Sequence, residues 1–302
     1  MGPAAPNASF IGESNTMQLK QLIDQPSKLP TIPKVGQQLI ATFGDEDVAI
    51  SDVAAQLALD PVLSARLLRL ANSAFFHVSH TIGTVEAALQ ILGLVMARNL
   101  VIGTSVAAAF KTTPGLDLRQ FWRYNLYTAC AARWLASRAD VDADVVFTLG
   151  VMHGIGQLHM QTVMPDELVD LNRQMSILDA GRAQRELEIF GFHYGDVSAE
   201  LARVWKFPQP LVDALRHVAQ PLAPPNFSDL AAWVHMGSWH ARVHVLDLRE
   251  KEQLASYPAE VGRRLYLAPN WTPALAERAH HNASMLMPPL VELTDGLEAM
   301  FD

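Results

Sequence analysis

Apolar residues recur at helical spacing through almost the whole chain, and this pattern constrains the fold more than any other feature. In PVLSARLLRLANSAFF, Leu63, Leu67 and Leu70 stand at i, i+4 and i+7, so one face of a helix carries all three. No stretch sustains the two-residue alternation of a half-buried strand, and no repeat of fixed period is present. The expected fold is therefore all-α. Start and stop signals divide the pattern into helices. Ser51 is the expected cap of SDVAAQLALD, and Asp60-Pro61 opens the next helix, with proline tolerated in the first turn. Thr84 begins a helix that should stop at Gly93, and a further apolar helix is expected over Leu94 to Phe110. KTTPGLD, residues 111–117, reads as the best linker, and PLAPPNF, residues 221–227, as a proline-rich loop. Between them helical segments include FWRYNLYTACAARWLASRA, VFTLGVMHGIGQLHM and GDVSAELARVW. The tail from Thr272 to Phe301 reads as two helices broken at Pro288-Pro289.

Composition narrows the function classes. Of 302 residues, 50% are hydrophobic and 18% charged, which excludes a disordered chain and implies a large core. A net charge of -8 repels phosphates and argues against a protein that grips nucleic acid. VAAQLALDPVLSARLLRLANSAFF has the outline of a helix-turn-helix, but Arg66, Arg69 and Asn72 lie among leucines and phenylalanines, as in an ordinary packed helix pair. Residues 1–15 carry no secretory signal and read as a flexible lead. Arg98 and Asn99 interrupt the most apolar stretch before it reaches the roughly 20 clean residues of a membrane span. A cytoplasmic protein is expected. The single cysteine, Cys130, sits in an apolar run and reads as a buried thiol.

Histidines are the natural candidates for chemistry. His240 and His244 share a helix face at i, i+4, but HARVH lacks the glutamate of the protease version of that spacing. His77, His80, His280 and His281 lie in turn-like or terminal sequence and are expected to be solvated. His153 is more informative, because it stands in an apolar helix next to Gly154. A divalent metal at such a step wants an imidazole with carboxylates, and glycine supplies no side chain.

Three stretches together resemble the HDOD domain, the HD-related output domain of bacterial signalling proteins. They are LPTIPKVGQQLI with LALDPVLSARLLRLANSAFF and TVEAALQILGLVMARNL; FWRYNLYTACAARWLA with VFTLGVMHGIGQL; and ELEIFGFHYGDVSAELARVWKFPQPLVDALRHV. The resemblance covers roughly residues 28–245. It implies an N-terminal helical subdomain over 16–112 and a larger HD-like bundle over 118–245; residues 246–302 lie outside it and read as a C-terminal helical extension. Catalytic HD relatives hold metal through a first His, a His-Asp pair and a later Asp. Those positions fall here near Tyr124, on His153 and Gly154, and near Ser238, so one ligand of four survives. His193 and His217 also fall on histidine positions of the resemblance, and neither needs a catalytic role. The implied function is a non-enzymatic regulatory module with no metal or other cofactor, whose partners are other signalling proteins. Asn72, Ser73, Phe75 and Phe76 form the candidate interaction surface. Sensing of a nucleotide or phosphorylated metabolite in the degenerate cleft is the alternative, and residual metal-dependent phosphohydrolase activity follows it.

Overall fold

The computed structural model describes residues 18–25, 28–42, 49–73, 76, 78–110, 113, 115–223, 227–267 and 287–301. The expected flexible lead, Phe75, His77, His280 and His281 lie outside the described residues, as does the first part of the tail. Among the described residues there is no strand. The order is α1 (Leu19–Ile23), α2 (Lys34–Ala41), α3 (Ile50–Ala58), α4 (Pro61–Ala71), α5 (Val85–Ala109), α6 (Leu118–Ala136), α7 (Ala143–Met152) and α8 (Ile155–Val163). There follow α9 (Pro165–Gln174), α10 (Arg182–Phe190), α11 (Tyr194–Val204), α12 (Gln209–His217), α13 (Asp229–Val245), α14 (Glu250–Ser256), α15 (Ala259–Arg264) and α16 (Leu290–Leu293). A 3-10 turn over Leu297–Met300 ends the described chain.

Side-chain caps fix several starts. Asp60 accepts from the amides of Val62 and Leu63 at 2.9 and 3.1 Å, and Thr84 accepts from that of Ala87 at 3.1 Å. The expected cap at Ser51 is corrected: the cap position lies two residues earlier, at Ala49, and no side chain caps the helix. Gly93 breaks α5 where the sequence places a stop, because its φ of 75° belongs to the left-handed region. The 25-residue α5 is apolar enough, at a mean hydropathy of 1.7, to pass as a membrane span, yet 67% of that window is buried inside the protein. It is a core helix. Arg98 within it donates to the carbonyl of Thr42 at 3.1 Å, and Asn99 pairs with Thr148 of α7.

Helix α6 runs through the centre and packs against both α7 and α13, which also touch each other. Both contacts depend on glycine. A Cβ on Gly150 of α7 would stand 2.5 Å from the Cα of Ala129, and one on Gly237 of α13 would stand 2.5 Å from the carbonyl oxygen of Thr128. Backbone therefore meets backbone at both crossings. One hydrophobic cluster gathers α3, α4 and α5 around Leu57, Leu67, Leu70 and Leu100, and reaches Ala129 and Cys130 of α6. A larger one joins α6 to α8, α11, α12 and α13. The short α1, together with residues 28–32, packs on the larger cluster: the indole of Trp205 donates to the carbonyl of Pro30 at 2.9 Å.

The C-terminal segment crosses both halves. Leu290 is buried beside Tyr124 and Tyr127 of α6, Leu297 is buried in the α3–α5 cluster, and Phe301 stacks on Trp122 at 4.9 Å with the rings 9° apart. Gly296, at φ 78°, lies directly over Ser73 at the end of α4.

A buried ion pair ties the approach to α11. Arg182 donates to Glu186 at 2.7 Å, to Asn172 at 2.8 Å and to the carbonyl of Met175 at 3.1 Å, while the other Glu186 oxygen accepts from the amide of Tyr194 at 2.8 Å. Burial pushes the Glu186 carboxyl upward and Arg182 opposes that shift. Arg182→Met removes one partner and leaves the other charge buried, so chemical denaturation should show a loss of about 3–5 kcal/mol. Gly237→Ala drives a methyl into the α6 backbone and should cost about 1–3 kcal/mol by the same measurement.

Candidate functional site

The site lies where α7 ends. An unbroken apolar helix through VFTLGVMHGIGQLHM was the expectation, and it is corrected: α7 stops at Met152 and α8 starts at Ile155. A hydroxyl causes the break. Ser198 of α11 donates through Oγ to the carbonyl of His153 at 3.0 Å and accepts from the amide of Gly156 at 2.9 Å, taking over backbone groups that a continuous helix would pair. Gly156 has to be glycine here, since a Cβ would overlap the carbonyl of Tyr194.

The bend points His153 at α6 and α13. Its Nδ1 lies 2.7 Å from the carbonyl of Gly150, and its ring meets that of Tyr124 edge-on at 5.4 Å between centroids. From α13, Arg242 donates through Nη1 to the hydroxyl of Tyr124 at 3.2 Å and to that of Ser238 at 3.4 Å. Ser238 donates to the carbonyl of His235 at 2.7 Å, and Nδ1 of His235 lies 2.8 Å from the carbonyl of Val218. The structure thus brings Tyr124, His153 and Ser238 into one cluster with Gly154 at its edge, and it adds Arg242 and His235. Arg242 escaped the sequence reading. Its signal was its place one turn after Ser238 on the same helix face.

These residues do not fit a divalent metal. A carboxylate at position 154 has no ready space: a Cβ there would stand 3.0 Å from Oδ1 of Asn125 and 3.1 Å from Cζ of Phe121. The Gly154 amide instead faces Asn125 Oδ1 at 3.3 Å. Among the described residues no three or more His, Cys, Asp or Glu side chains gather as a metal would require. The cluster holds a guanidinium and two imidazoles but no carboxylate, so its electrostatics disfavour a cation. Apolar side chains border it as well, for Tyr124 packs with Leu178 and Leu290.

The other singled-out residues have structural places. Asn72 staples the end of α4, donating to the carbonyls of Leu68 and Ile82 at 2.8 and 2.9 Å and accepting from the amide of Ile82 at 2.8 Å. Ser73 lies under Gly296, and Phe76 is half-buried against the α3–α5 cluster. His193 caps α11 by accepting from the amide of Gly195 at 3.0 Å, and His217 ends α12, its Nδ1 2.8 Å from the carbonyl of Asp213. His240 is buried and His244 exposed, so their shared spacing does not make a joint site. Cys130 is buried, and burial pushes its thiol upward.

A separate open groove of about 1290 Å³ runs between the N-terminal helices and α6. Its walls include Val62, Arg66 and Phe110 on one side, and Trp122, Arg123 and Phe301 on the other.

Burial pushes the imidazoles of His153 and His235 down to about 4 and that of His240 to about 3, with the Arg242 charge adding to the first two. In the unfolded chain each titrates near 6.5, as an ordinary histidine does. Between the two values the unfolded state binds more protons, so stability is full above pH 6.5 and falls as pH drops. Unfolding free energies from chemical denaturation should fall as pH drops from about 6.5 towards 4, by up to about 1.4 kcal/mol per pH unit for each such histidine.

Known proteins share this architecture. A solved structure from Shewanella amazonensis, named "Putative phosphohydrolase", is 27% identical, with a TM-score of 0.69 over 93% of this chain and 98% of its own. An HDOD domain protein of unknown function from Geobacter sulfurreducens is 22% identical, with a TM-score of 0.71 over 93% of this chain and 97% of its own. An uncharacterized protein of Treponema pallidum is 22% identical over 227 residues, which are 74% of this chain and 44% of that protein. The chain thus spans less than half the length of that curated relative. The model of the HDOD domain matches residues 29–221, well over half of the chain, which therefore belongs to the HDOD domain family.

Proposed function

We propose that the chain is a non-enzymatic regulatory module that works in the cytoplasm by contact with other signalling proteins. One observation carries the reading: where catalytic HD relatives place metal ligands, this chain has Tyr124, His153, Gly154 and Ser238, and Arg242 sits among them. A cation in that position repels a divalent metal, and Gly154 is hemmed in by Asn125 and Phe121. The name of the Shewanella neighbour points to phosphate-ester hydrolysis. That chemistry needs a metal to activate water, and this donor set does not support one. Partner contact has surface available to it. Leu59 and Val62, at the α3–α4 corner, are 84% and 62% exposed, and Val62 opens onto the groove between the halves.

A second reading, sensing of a small phosphorylated ligand in the same cleft, is favoured by the Arg242 guanidinium, which no carboxylate answers among the described residues.

Elemental analysis after incubation with manganese, iron and zinc should find no stoichiometric metal, in the wild type or in Gly154→Asp. The variant should also lose about 1–3 kcal/mol of stability, because its side chain must displace Asn125 or Phe121. About one or two bound ions per chain, as metallohydrolases carry, would overturn the non-enzymatic reading. For partner contact, Val62→Glu should abolish binding of any partner recovered with the wild type while leaving the melting temperature unchanged.

A further inference from the structure

We infer that Arg242 forms an oxyanion site in the degenerate HD cleft, which takes a phosphoryl group on the open edge of its guanidinium. The inference deepens the sensing reading and is independent of partner contact. Arg242 differs from Arg216, Arg182 and Arg133, partly or fully buried arginines that each meet a carboxylate. Arg216 carries two carboxylates, Asp196 at 3.2 Å and Glu200 at 2.8 Å; Arg182 carries Glu186 at 2.7 Å, and Arg133 carries Asp144 at 2.8 Å. Among the described residues Arg242 has no carboxylate within ion-pairing reach, and its protein acceptors are two neutral hydroxyls, both on Nη1.

Nε and Nη2 have no protein acceptor, and neither is among the fully buried polar atoms, so this edge of the fork reaches solvent. A guanidinium set against the nearly buried Tyr124 and Ser238 has given up part of its hydration without gaining a counter-charge. The two N–H groups on that edge match two oxygens of a phosphate, a geometry that a lysine cannot offer. Tyr124 supplies a further donor. Its oxygen already accepts from Arg242, which leaves its O–H to donate to an anion beside the guanidinium. Ser238 plays a positioning part: its own proton goes to the carbonyl of His235, which turns a lone pair toward Arg242 and fixes the fork. Leu178 and Leu290 pack around Tyr124 and hold its ring in place beside the guanidinium.

Calorimetric titration of the full chain with inorganic phosphate and with phenyl phosphate, against sodium chloride at matched ionic strength, tests the site. Saturable binding of either phosphate is expected. Arg242→Gln should weaken it at least about tenfold, equivalent to about 1.4 kcal/mol. Arg242→Lys, which keeps the charge and loses the fork, should weaken it as well. Tighter phenyl phosphate would identify an organic phosphate as the ligand, and tighter inorganic phosphate the free ion. Saturable binding that persists in Arg242→Gln would overturn the Arg242 site and leave sensing standing. A response no greater than that to chloride would overturn both. Should Arg242→Gln not fold, the side-chain Nε–H resonances of the wild-type arginines give the same decision. One of them must shift saturably with phosphate, and none shifting overturns the site.

Discussion

The close approach of two backbones to α6 is the constraint on which the rest of the molecule depends. Gly150 and Gly237 set α7 and α13 directly against Ala129, Thr128 and Ala132, leaving no room for a side chain at either crossing. A helix held this tightly on two sides has little freedom to slide or rotate, because interiors packed at crystal density transmit even small displacements. Its remaining faces are thereby aimed. Phe121, Tyr124 and Asn125 point into the cleft beside His153 and Gly154, while Trp122 and Arg123 face the groove toward the N-terminal helices. One helix thus sets the geometry of both the His153 cluster and the groove.

The cluster around His153 carries a positive charge and, among the described residues, no carboxylate. The bend after α7 presents His153, held by Ser198 from outside and Gly150 from behind. A hydroxyl stands at position 238, a phenol at position 124 and nothing at position 154, and a guanidinium lies across the two hydroxyl groups. Such a cluster repels cations and attracts anions, whatever the molecule uses it for. The imidazoles beside it are held neutral, since a second positive group in a buried cluster would cost several kcal/mol.

Helix content and most helix boundaries were legible in the sequence because they rest on local rules: the spacing of Leu63, Leu67 and Leu70, the caps at Asp60 and Thr84, the glycine at 93. Ser51 misled because capping preference is a weak local signal, and the packing of α3 moved its start past it. The break at His153 was invisible for a stronger reason. Its cause, the hydroxyl of Ser198, lies 45 residues away and acts only once α11 is in place. Tyr124, His153, Gly154 and Ser238 could be placed by resemblance. Arg242 falls on no position of that resemblance, and nothing about one arginine in a helix says that its neighbours will be hydroxyls rather than carboxylates. The staple made by Asn72 was equally hidden, since an exposed asparagine at a helix end looks the same whether it meets a partner or ties down a loop.

The C-terminal segment joins parts of the chain that are far apart in sequence: Phe301 meets Trp122, and Gly296 meets Ser73. Contacts of such long range close very large loops, so their entropy cost falls due before any local reward is gained. This strap is accordingly a late element of folding and an early element of sub-global opening, with hydrogen exchange there faster than in α6 or α13. Its release would uncover the Trp122 side of the groove and the faces of Tyr124 and Tyr127 that Leu290 covers in a single event, leaving the glycine-packed centre intact.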